Sequence, residues 1–498
     1  MTPTQTGEME RDKRDLSRGA RQILSGSGVR MLARILLIVF VAKLFGASVF
    51  GRLGETVAIV ELAAAFATFG LNKTLLGELA REEAEGNPIK TRLVEALMLT
   101  CLVSFAIAGL LWFAWPLLFP TDAAPRIAII GVPLIALTDV TLTATRHHRT
   151  VAWDTIVKAA IKPWCFLIFA LVAYGIVTDR IANWLSFTSM PHALIGAYVG
   201  SLIVSAAVAF AVTARMFRGE MARAPNHAEV FGLARRSFPI ALNETGLFAF
   251  RRIDILLLGM LAGPAATGVY YLAQQIGTIV GKVRHLFEPM LAPIVAQSFS
   301  LDVIGAHVKR LCLFIFTVQL GMIVFVQLID NALLAWFGPG FAAGSAVLLL
   351  ILLGELLDGS FALSELPLVF RHPKWPPRAA MAALLLEFIL VAVLARYFGA
   401  AGAAAGFAAA MLLLATIRLT LVHHKYDFRV ITQTYLLVAL IALACAAPAF
   451  IFVQFAPGAW MASLAAGLLF VLFYGGATFR LLRRKPPVDA SVVTNQPA

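Results

Sequence analysis

The sequence has 498 residues, of which 60% are hydrophobic and only 14% are charged, and its mean hydropathy is +0.84. Soluble globular domains carry about 25% charged residues, so this composition excludes that class and predicts a protein that lies in lipid. The net charge of +13 does not indicate nucleic-acid binding, because the basic residues lie in short clusters between apolar segments rather than along one surface.

Apolar segments of about 20 residues recur along nearly the whole chain, and each is long enough to cross a hydrocarbon core of about 30 Å as a helix. The predicted spans, numbered 1 to 14, are 24–46, 55–79, 94–119, 126–146, 156–177, 192–215, 237–262, 268–296, 307–331, 343–370, 378–396, 401–421, 432–455 and 458–481. We therefore predict an all-α polytopic membrane protein with about 14 transmembrane helices.

The loops between these spans differ in charge on the two sides of the membrane. Basic clusters occur in the N-terminal segment, in every second loop and in the C-terminal segment. The opposite side carries Arg52, Arg126, Arg180 and Arg396. The positive-inside rule then places both termini in the cytoplasm.

An internal repeat relates the two halves of the chain. The run "LFGASVFGRL" (44–53) ends the first span, and "LAGPAATGVY" (261–270) ends the seventh, at an offset of 217 residues (263 − 46 = 268 − 51 = 217). At this offset the matched pairs are Gly46 with Gly263, Gly51 with Gly268 and Arg34 with Arg251. Because the offset contains six spans, an even number, the halves share one topology and are related by an axis along the membrane normal.

The repeat predicts two six-helix lobes with pseudo-two-fold symmetry, followed by two additional C-terminal helices. The predicted segments are an N-terminal cytoplasmic tail (1–23), an N-lobe (24–215), an inter-lobe loop (216–236), a C-lobe (237–421), helices 13 and 14 (432–481) and a cytoplasmic tail (482–498).

Several basic residues lie inside the predicted spans, where a charge costs roughly 2.5–3.5 kcal/mol at the centre of a helix. The candidates for binding a substrate are Arg30, Arg34, Lys73, Arg251, Arg252, Lys282 and Arg284. They lie on spans 1, 2, 7 and 8, which correspond to one another in the two lobes. Guanidinium groups bind phosphate oxygens bidentately and lysine supplies a point charge, so a cavity lined by these residues suits a phosphate or pyrophosphate.

An alternative assigns these charges to ion pairs that hold helices together. Asp254 lies three residues after Arg251, and Glu288 lies four residues after Arg284, so each pair can form within its helix. Lys162 is close enough to the membrane interface to reach water. Both interpretations remain open from the residues alone.

The charged residues within the tenth span are all carboxylates. Glu355, Asp358 and Glu365 lie close to one helical face and are candidates for coupling transport to an ion gradient. The alternative, that they pair with basic residues of neighbouring helices, is equally compatible with the sequence.

Motifs for enzymatic or ATP-driven chemistry are missing from the sequence. "GTIVGKV" (277–283) lacks the spacing and the Ser/Thr of a phosphate-binding loop, and the adjacent histidines His147/His148 and His423/His424 point apart on a helix. We expect no catalytic residues, no metal site and no cofactor.

Two stretches carry a family resemblance. The runs "VAKLFGASVFGRLGETVAIVELAAAFATFGLNKTLL" (41–76) and "FPIALNETGLFAFRRIDILLLGMLAGPAATGVYYLAQQIGTIVGKVRHLFEPMLAPIVAQ" (238–297) resemble polysaccharide-exporter flippases of the O-antigen type. The second run includes the R-x-D element at Arg252 and Asp254. These flippases belong to the multidrug/oligosaccharidyl-lipid/polysaccharide transporter superfamily.

The resemblance implies a secondary transporter, not an enzyme, in the bacterial inner membrane. It implies alternating access between two six-helix bundles, with undecaprenyl-pyrophosphate-linked oligosaccharide, a precursor of lipopolysaccharide or exopolysaccharide, as the substrate flipped to the periplasmic leaflet. The seven basic candidates are then the positions that would meet the pyrophosphate. Expected partners are this substrate, membrane lipids and a polysaccharide polymerase with its export machinery.

Three other functions remain as alternatives. The first is a flippase for the lipid-linked peptidoglycan precursor, which would use the same cationic cavity. The second is a multidrug or cation antiporter of the same superfamily, which would favour an acidic cavity. The third is a membrane-embedded glycosyltransferase or polymerase, against which the short outside loops argue.

Overall fold

A computed structural model describes most of the chain. The described backbone covers residues 3–119, 125–148, 150, 152–179, 189–250, 252–288, 291, 295, 301–455 and 460–483. Within these ranges side chains are described from Met31 onward, apart from those of Asp179, Asn243, Leu247, Phe250, Gln454 and Phe455. These residues form helices and turns and no β-strand, which confirms the all-α class.

The helices follow one another with short connections. In chain order they are α1 (Pro3–Ala67), α2 (Leu71–Ala84), α3 (Ile89–Leu118), α4 (Gly131–Thr145), α5 (Ala152–Ile156), α6 (Lys162–Asp179), α7 (Met190–Met216), α8 (His227–Phe250), α9 (Ile253–Gly281), α10 (Leu301–Phe337), α11 (Ser345–Phe361), α12 (Leu366–Arg371), α13 (Trp375–Tyr426), α14 (Gln433–Phe455) and α15 (Trp460–Arg483). A π-helical turn, Val157–Ile161, joins α5 to α6. Turns of 3₁₀ helix are Arg126–Ile130, Arg146–His148, Lys282–Leu286, Pro339–Gly344 and Ala362–Glu365.

Eleven helical stretches of the described chain are long and apolar enough to cross a membrane. Three of them contain a glycine with non-helical dihedral angles, namely Gly46, Gly263 and Gly399. Each of these three stretches therefore corresponds to two predicted spans, and the other eight to one each, so the eleven stretches agree with fourteen predicted spans. The polytopic membrane class is thus confirmed, with three span ends formed by sharp bends rather than by loops.

The bends at Gly46 and Gly263 are nearly identical, as the repeat predicts. Gly46 has φ 76° and ψ 172°, and Gly263 has φ 81° and ψ 177°. Side chains disfavour positive φ because Cβ collides with the backbone, so glycine is the residue that permits this bend. The same local sequence therefore produces the same turn 217 residues later.

The second glycine of each repeat lies at a close backbone crossing within residues 1–272. A Cβ on Gly51 would overlap the carbonyl oxygen of Pro264, and a Cβ on Gly268 would overlap the carbonyl oxygen of Ala47. At the offset of 217, Gly268 is equivalent to Gly51 and Pro264 is equivalent to Ala47 (264 − 47 = 268 − 51 = 217). Each contact is therefore the repeat equivalent of the other. Such reciprocity is what a two-fold relation between two copies of one segment requires.

The chain divides into two compact units, residues 1–272 and 273–498. In the first, Leu71, Leu75 and Leu79 recur along one face of α2 and are buried with Leu93 of α3 and Leu233 of α8. In the second, α14 and α15 pack against α10, and the Tyr474 hydroxyl donates a hydrogen bond to the Thr317 carbonyl at 2.9 Å. The boundary between the units falls inside α9, and the division into lobes at 216–236 stays a prediction.

Two segments show structure that the hydropathy pattern does not indicate. The helix α1 begins at Pro3, so the predicted N-terminal tail is helical from residue 3, and its cytoplasmic location stays a prediction. The predicted tenth span is interrupted by the 3₁₀ turn Ala362–Glu365. Pro367 explains the interruption, because it lacks the N–H that a continuous α-helix would donate to the Leu363 carbonyl.

The glycine crossing gives a direct test of the packing in the first unit. We expect Gly51→Ala to lower the thermal unfolding temperature in detergent, because the added methyl forces two backbones apart. Gly77→Ala is the matched control, since nothing lies within 4 Å of its Cβ position. Alanine in a helix is about 0.5–1 kcal/mol more favourable than glycine, so Gly77→Ala should leave the unfolding temperature unchanged or raised. Equal behaviour of the two variants would contradict the crossing.

Candidate functional site

The seventh predicted span is broken where its basic residues lie. The helix α8 ends at Phe250 and α9 begins at Ile253, so Arg252 lies at the break. Asp254 stabilises the start of α9, because its carboxylate accepts the Ile255 N–H at 2.7 Å and the Tyr270 hydroxyl at 2.5 Å. Arg251 lies outside the described residues. Breaks at membrane depth are tolerated where the backbone is buried in protein or lines a watery cavity.

Arg252 is held by a carboxylate from another part of the first unit. Its Nη2 lies 2.7 Å from Oε2 of Glu61, and each of these side chains is 20% exposed. Lys162 approaches the same carboxylate, with its Nζ 3.7 Å from Oε1. Arg34 lies within electrostatic range of both Glu61 and Tyr271. Glu61 is therefore the centre of a group of cations contributed by α1, α6 and the α8–α9 break.

A cavity of about 320 Å³ adjoins this group, within the first unit. Its lining is Glu61, Ala65, Thr68, Asn72, Ile135, Thr138, Asp139, Val157, Lys158, Lys162, Leu202, Ser205, Glu244 and Phe248. Two of these residues touch Arg252, since Glu61 pairs with it and the Phe248 ring lies 5.8 Å from its guanidinium carbon. In the predicted topology, the lining residues of the fourth, sixth and seventh spans lie near the middle of those spans, whereas Val157, Lys158 and Lys162 lie near one end of the fifth.

The backbone is irregular in three of the elements around the cavity. Between α1 and α2, Phe69 and Gly70 both have positive φ, 52° and 72°. The π turn Val157–Ile161 precedes α6, where Pro163 lacks the N–H that would otherwise bond to the Ala159 carbonyl. The third irregular element is the α8–α9 break. Non-glycine residues at positive φ and π turns are found preferentially at functional sites.

Lys73 was also expected at the site. Its Nζ lies 3.9 Å from Oε2 of Glu244, a cavity-lining carboxylate, but the Lys73 side chain is 60% exposed. An exposed pair at this distance is worth about 0–1 kcal/mol, so Lys73 is free to turn toward another anion. Arg30 lies in α1, and its side chain is outside the described residues.

The second unit holds a separate charge network. Asp358 of α11 bridges two arginines, accepting from Arg284 at 2.5 Å and from Arg418 at 2.7 Å. Arg418 also lies 2.5 Å from Glu365. Two of the three carboxylates considered for ion coupling are therefore held by arginine, as the alternative interpretation expects. The third, Glu355, contacts Gly281, where an added Cβ would overlap its Oε2.

The local pair between Arg284 and Glu288, which the alternative interpretation allowed, does not form. Arg284 pairs with Asp358 rather than with Glu288, whose carboxylate lies 3.3 Å from His285. The reason is the 3₁₀ turn Lys282–Leu286, since residues three apart are eclipsed there and the i,i+4 geometry of an α-helix is lost. Lys282 lies in the same turn. The structure thus places Arg34, Lys73 and Arg252 in the first unit and Lys282 and Arg284 in the second.

Comparison with known proteins identifies the family. A family model described as "Polysaccharide biosynthesis protein" matches residues 16–298, which is more than half of the chain. The chain belongs to this family. No curated protein matches the sequence closely.

Solved structures show the same fold. The lipid II flippase MurJ, in an inward closed conformation, has a TM-score of 0.71 and 14% identity, with 93% of this chain and 100% of that chain covered. An inward-facing MATE family transporter of the MOP superfamily has a TM-score of 0.60 and 13% identity, covering 80% and 94%. An outward-facing MATE family transporter gives 0.52 and 13%, covering 83% and 96%. The chain is therefore a polytopic membrane protein with the MOP-superfamily transporter fold, as its sequence resemblance predicts.

The pair formed by Glu61 and Arg252 can be tested by a double-mutant cycle. Glu61→Gln should destabilise the protein by about 3 kcal/mol, because it leaves two cations without their shared carboxylate in a low-dielectric setting. Adding Arg252→Gln should recover part of this loss. The measurement is thermal unfolding of each purified variant in detergent.

Glu85→Gln supplies the control for this cycle. It removes an exposed carboxylate that pairs with Arg81 at 2.7 Å, and should change stability by less than about 1 kcal/mol. Strict additivity of Glu61→Gln and Arg252→Gln would show that the two side chains are not energetically coupled.

Proposed function

We propose that this protein is a flippase that moves an undecaprenyl-pyrophosphate-linked oligosaccharide from the cytoplasmic to the periplasmic leaflet of a bacterial inner membrane. The observation that carries the proposal is the polysaccharide biosynthesis family match over residues 16–298. The fold of membrane transporters supports the same conclusion, because this architecture is shared by proteins named as a flippase and as transporters. The protein acts by alternating access, without an enzymatic step.

The basic residues in the membrane would receive the pyrophosphate. Arg252 pairs with Glu61, and Arg34 lies within electrostatic range of the same carboxylate, so an arriving phosphate can replace Glu61 as the partner of Arg252 and attract Arg34. Arg252 is already oriented and largely desolvated before the substrate enters, so the exchange needs little further ordering of the guanidinium, and Lys162 remains as a partner for the displaced Glu61. Glu61 thus offsets part of the positive charge of the empty site. Lys73, Arg30 and Arg251, the other basic candidates among residues 1–272, would add further positive charge.

In the second unit, Lys282 and Arg284 complete the set of basic candidates. Arg284 shares Asp358 with Arg418, so the same kind of exchange between carboxylate and phosphate applies to it. Glu355, Asp358 and Glu365 remain candidates for ion coupling. Both termini lie in the cytoplasm in this proposal, and the flippase would pass its load to a polysaccharide polymerase and export machinery.

One rival function is favoured by a specific observation. The MurJ likeness covers 93% of this chain, more than the MATE likeness does, and MurJ is named as a lipid II flippase. A lipid-linked peptidoglycan precursor also presents a pyrophosphate and would meet the same arginines. A cation antiporter is less well supported, because Glu61, Asp139 and Glu244 each have a basic partner.

The proposal is tested by a flipping assay in proteoliposomes loaded with lipid-pyrophosphate oligosaccharide. We expect Arg34→Ala and Arg251→Ala each to lower the flipping rate at least about tenfold, because charge-assisted contacts to phosphate are lost. Arg235→Ala is the control, since this exposed arginine of α8 lies outside the predicted spans. Its rate should match the wild type.

Two substrates separate the proposed function from its closest rival. Wild-type protein should flip the oligosaccharide-bearing lipid faster than a lipid pyrophosphate bearing a peptidoglycan-type disaccharide peptide. The reverse preference would support the peptidoglycan precursor. If both arginine variants flip the substrate at the wild-type rate, Arg34 and Arg251 do not bind the substrate and serve instead in structural ion pairs.

A further inference from the structure

The second unit carries an excess of positive charge where α10 begins and where α12 and α13 end. The segments 301–310, 371–378 and 425–429 hold seven basic residues and two carboxylates. The loop-charge pattern assigns all three segments to the predicted cytoplasmic side. The two carboxylates are Asp302 and Asp427. The seven basic residues, which we call the basic surface, are Lys309, Arg310, Arg371, Lys374, Arg378, Lys425 and Arg429.

The three segments meet at a stacked pair of aromatic rings. The rings of Tyr426 and Phe428 have centroids 6.4 Å apart and an interplanar angle of 21°, and both are buried. The Lys309 Nζ lies 5.7 Å from the centre of the Phe428 ring, and the guanidinium carbon of Arg371 lies 6.0 Å from the centre of the Tyr426 ring. Aromatic faces attract cations, so the two rings hold Lys309 and Arg371 in place.

Most of the basic surface has no carboxylate partner. Deeper in the same unit, by contrast, Arg418 pairs with both Asp358 and Glu365. Among the described residues, no carboxylate oxygen lies within 4 Å of the charged nitrogens of Lys309, Arg310, Lys374, Arg378, Lys425 or Arg429. Because these cations are exposed or partly exposed and are not neutralised by the chain itself, they can bind an external anion.

The first unit does not show the same excess on the predicted cytoplasmic side. Its segments 78–95, 146–154 and 215–236 hold ten basic residues and eight carboxylates. Arg92 alone lies within 4 Å of four of these carboxylates. The positive-inside rule requires only that basic residues be more frequent on one side of the membrane. It therefore does not explain why the uncompensated charge is concentrated in the second unit.

Exposed apolar side chains lie beside these cations. Val369, Phe370 and Trp375 are 45%, 49% and 37% exposed, and the guanidinium carbon of Arg378 lies 5.7 Å from the centre of the Trp375 ring. Tryptophan is enriched at the boundary between membrane and water, where arginine and lysine can reach the lipid headgroups. This mixture of apolar and basic groups favours a lipid headgroup over an acidic protein as the bound anion.

We propose that the basic surface binds the phosphate groups of anionic phospholipids in the adjacent membrane leaflet. Lys309 and Arg371, held by the two stacked rings, contact the lipid phosphates, while Phe370 and Trp375 contact the acyl chains next to the headgroups. Each basic residue near an anionic membrane surface adds to the attraction, which falls off within a Debye length. The inference does not depend on the identity of the transported substrate, so it stands or falls independently of the proposed function.

The test measures lipid binding to purified full-length protein in a neutral detergent. The probes are phosphatidylglycerol and phosphatidylcholine with the same acyl chains, and native mass spectrometry measures how much of each lipid is bound. We expect wild-type protein to bind phosphatidylglycerol at least about tenfold more tightly than phosphatidylcholine. This preference should weaken as the NaCl concentration is raised, because salt screens exposed charges.

Lys309→Gln combined with Arg371→Gln is the informative variant, because it removes the two cations that the rings hold. It should lower the affinity for phosphatidylglycerol about tenfold and leave the affinity for phosphatidylcholine unchanged. Arg215→Gln combined with Arg218→Gln is the matched control. These arginines of the first unit are exposed, lie on the same predicted side and give the same change in net charge. The control should change the affinity for phosphatidylglycerol less than about twofold.

Two further variants separate loss of charge from loss of folding. Lys309→Arg combined with Arg371→Lys keeps both charges and should preserve the preference for phosphatidylglycerol. Lys374→Gln combined with Arg378→Gln changes two exposed residues of the same surface. It provides a second charge-removing variant if the first does not fold, and it should also reduce the preference.

The outcomes identify the occupant of the surface. Equal affinity of wild-type protein for the two phospholipids would overturn the proposal. An equal loss in the informative variant and in the Arg215 and Arg218 control would also overturn it, because the preference would then follow net charge alone. Polyprenyl pyrophosphate or oligoglutamate is added as a competitor. If either displaces phosphatidylglycerol and binds the wild type more tightly, the surface belongs to the transported lipid or to an acidic protein instead.

Discussion

The cost of placing charge in hydrocarbon governs the arrangement of the polar residues in this protein. Arg252, Lys162, Arg284 and Arg418 all lie within predicted spans, and each has a carboxylate within 4 Å. Pairing lowers the cost of burial for each charge, but removing one partner then exposes the full penalty. Such pairs are suited to exchange, because the arginine is already desolvated and oriented, so a substrate phosphate that takes the place of the carboxylate meets a preformed partner.

Backbone geometry supplies the second constraint. The glycine bends at Gly46 and Gly263 turn each repeat in the same way, and Gly51 and Gly268 then allow a reciprocal crossing of the two segments. Closer to the cavity, the helices lose their regularity. Breaks free backbone groups and change the direction of side chains, so polar residues from six helices can face one small volume.

Much of this arrangement could be predicted from sequence. Hydropathy gives the spans, and the 217-residue repeat gives the matched bends, because each depends on local composition or spacing. The site residues and their partners are predicted less completely from the sequence. Arg252 was identified as a candidate, but its partner Glu61 lies 191 residues away in the chain, and no spacing rule connects them. Pairing of Arg284 along its own helix, one of the two interpretations left open by the sequence, does not occur because that segment forms a 3₁₀ turn.

The sequence contains only weak indications of the cavity. Pro163 in the fifth span and the Phe69–Gly70 sequence in the second mark irregular backbone, but neither predicts a cavity without the packing of neighbouring helices. Lys158 and Asp139 likewise belong to different spans, and their contact at 2.8 Å depends on tertiary structure. Local sequence therefore indicates where regular helices are interrupted. Which polar residues meet at these interruptions depends on the three-dimensional fold.

The central claim is that Arg252 exchanges Glu61 for the phosphate of a lipid-linked substrate. A structure determined by electron cryo-microscopy with bound polyprenyl pyrophosphate tests it directly. We expect phosphate oxygens within about 3 Å of Arg252 and close to Arg34, with the Arg252–Glu61 distance lengthened from 2.7 Å. A headgroup bound away from both arginines, with the Arg252–Glu61 pair intact, would contradict the account.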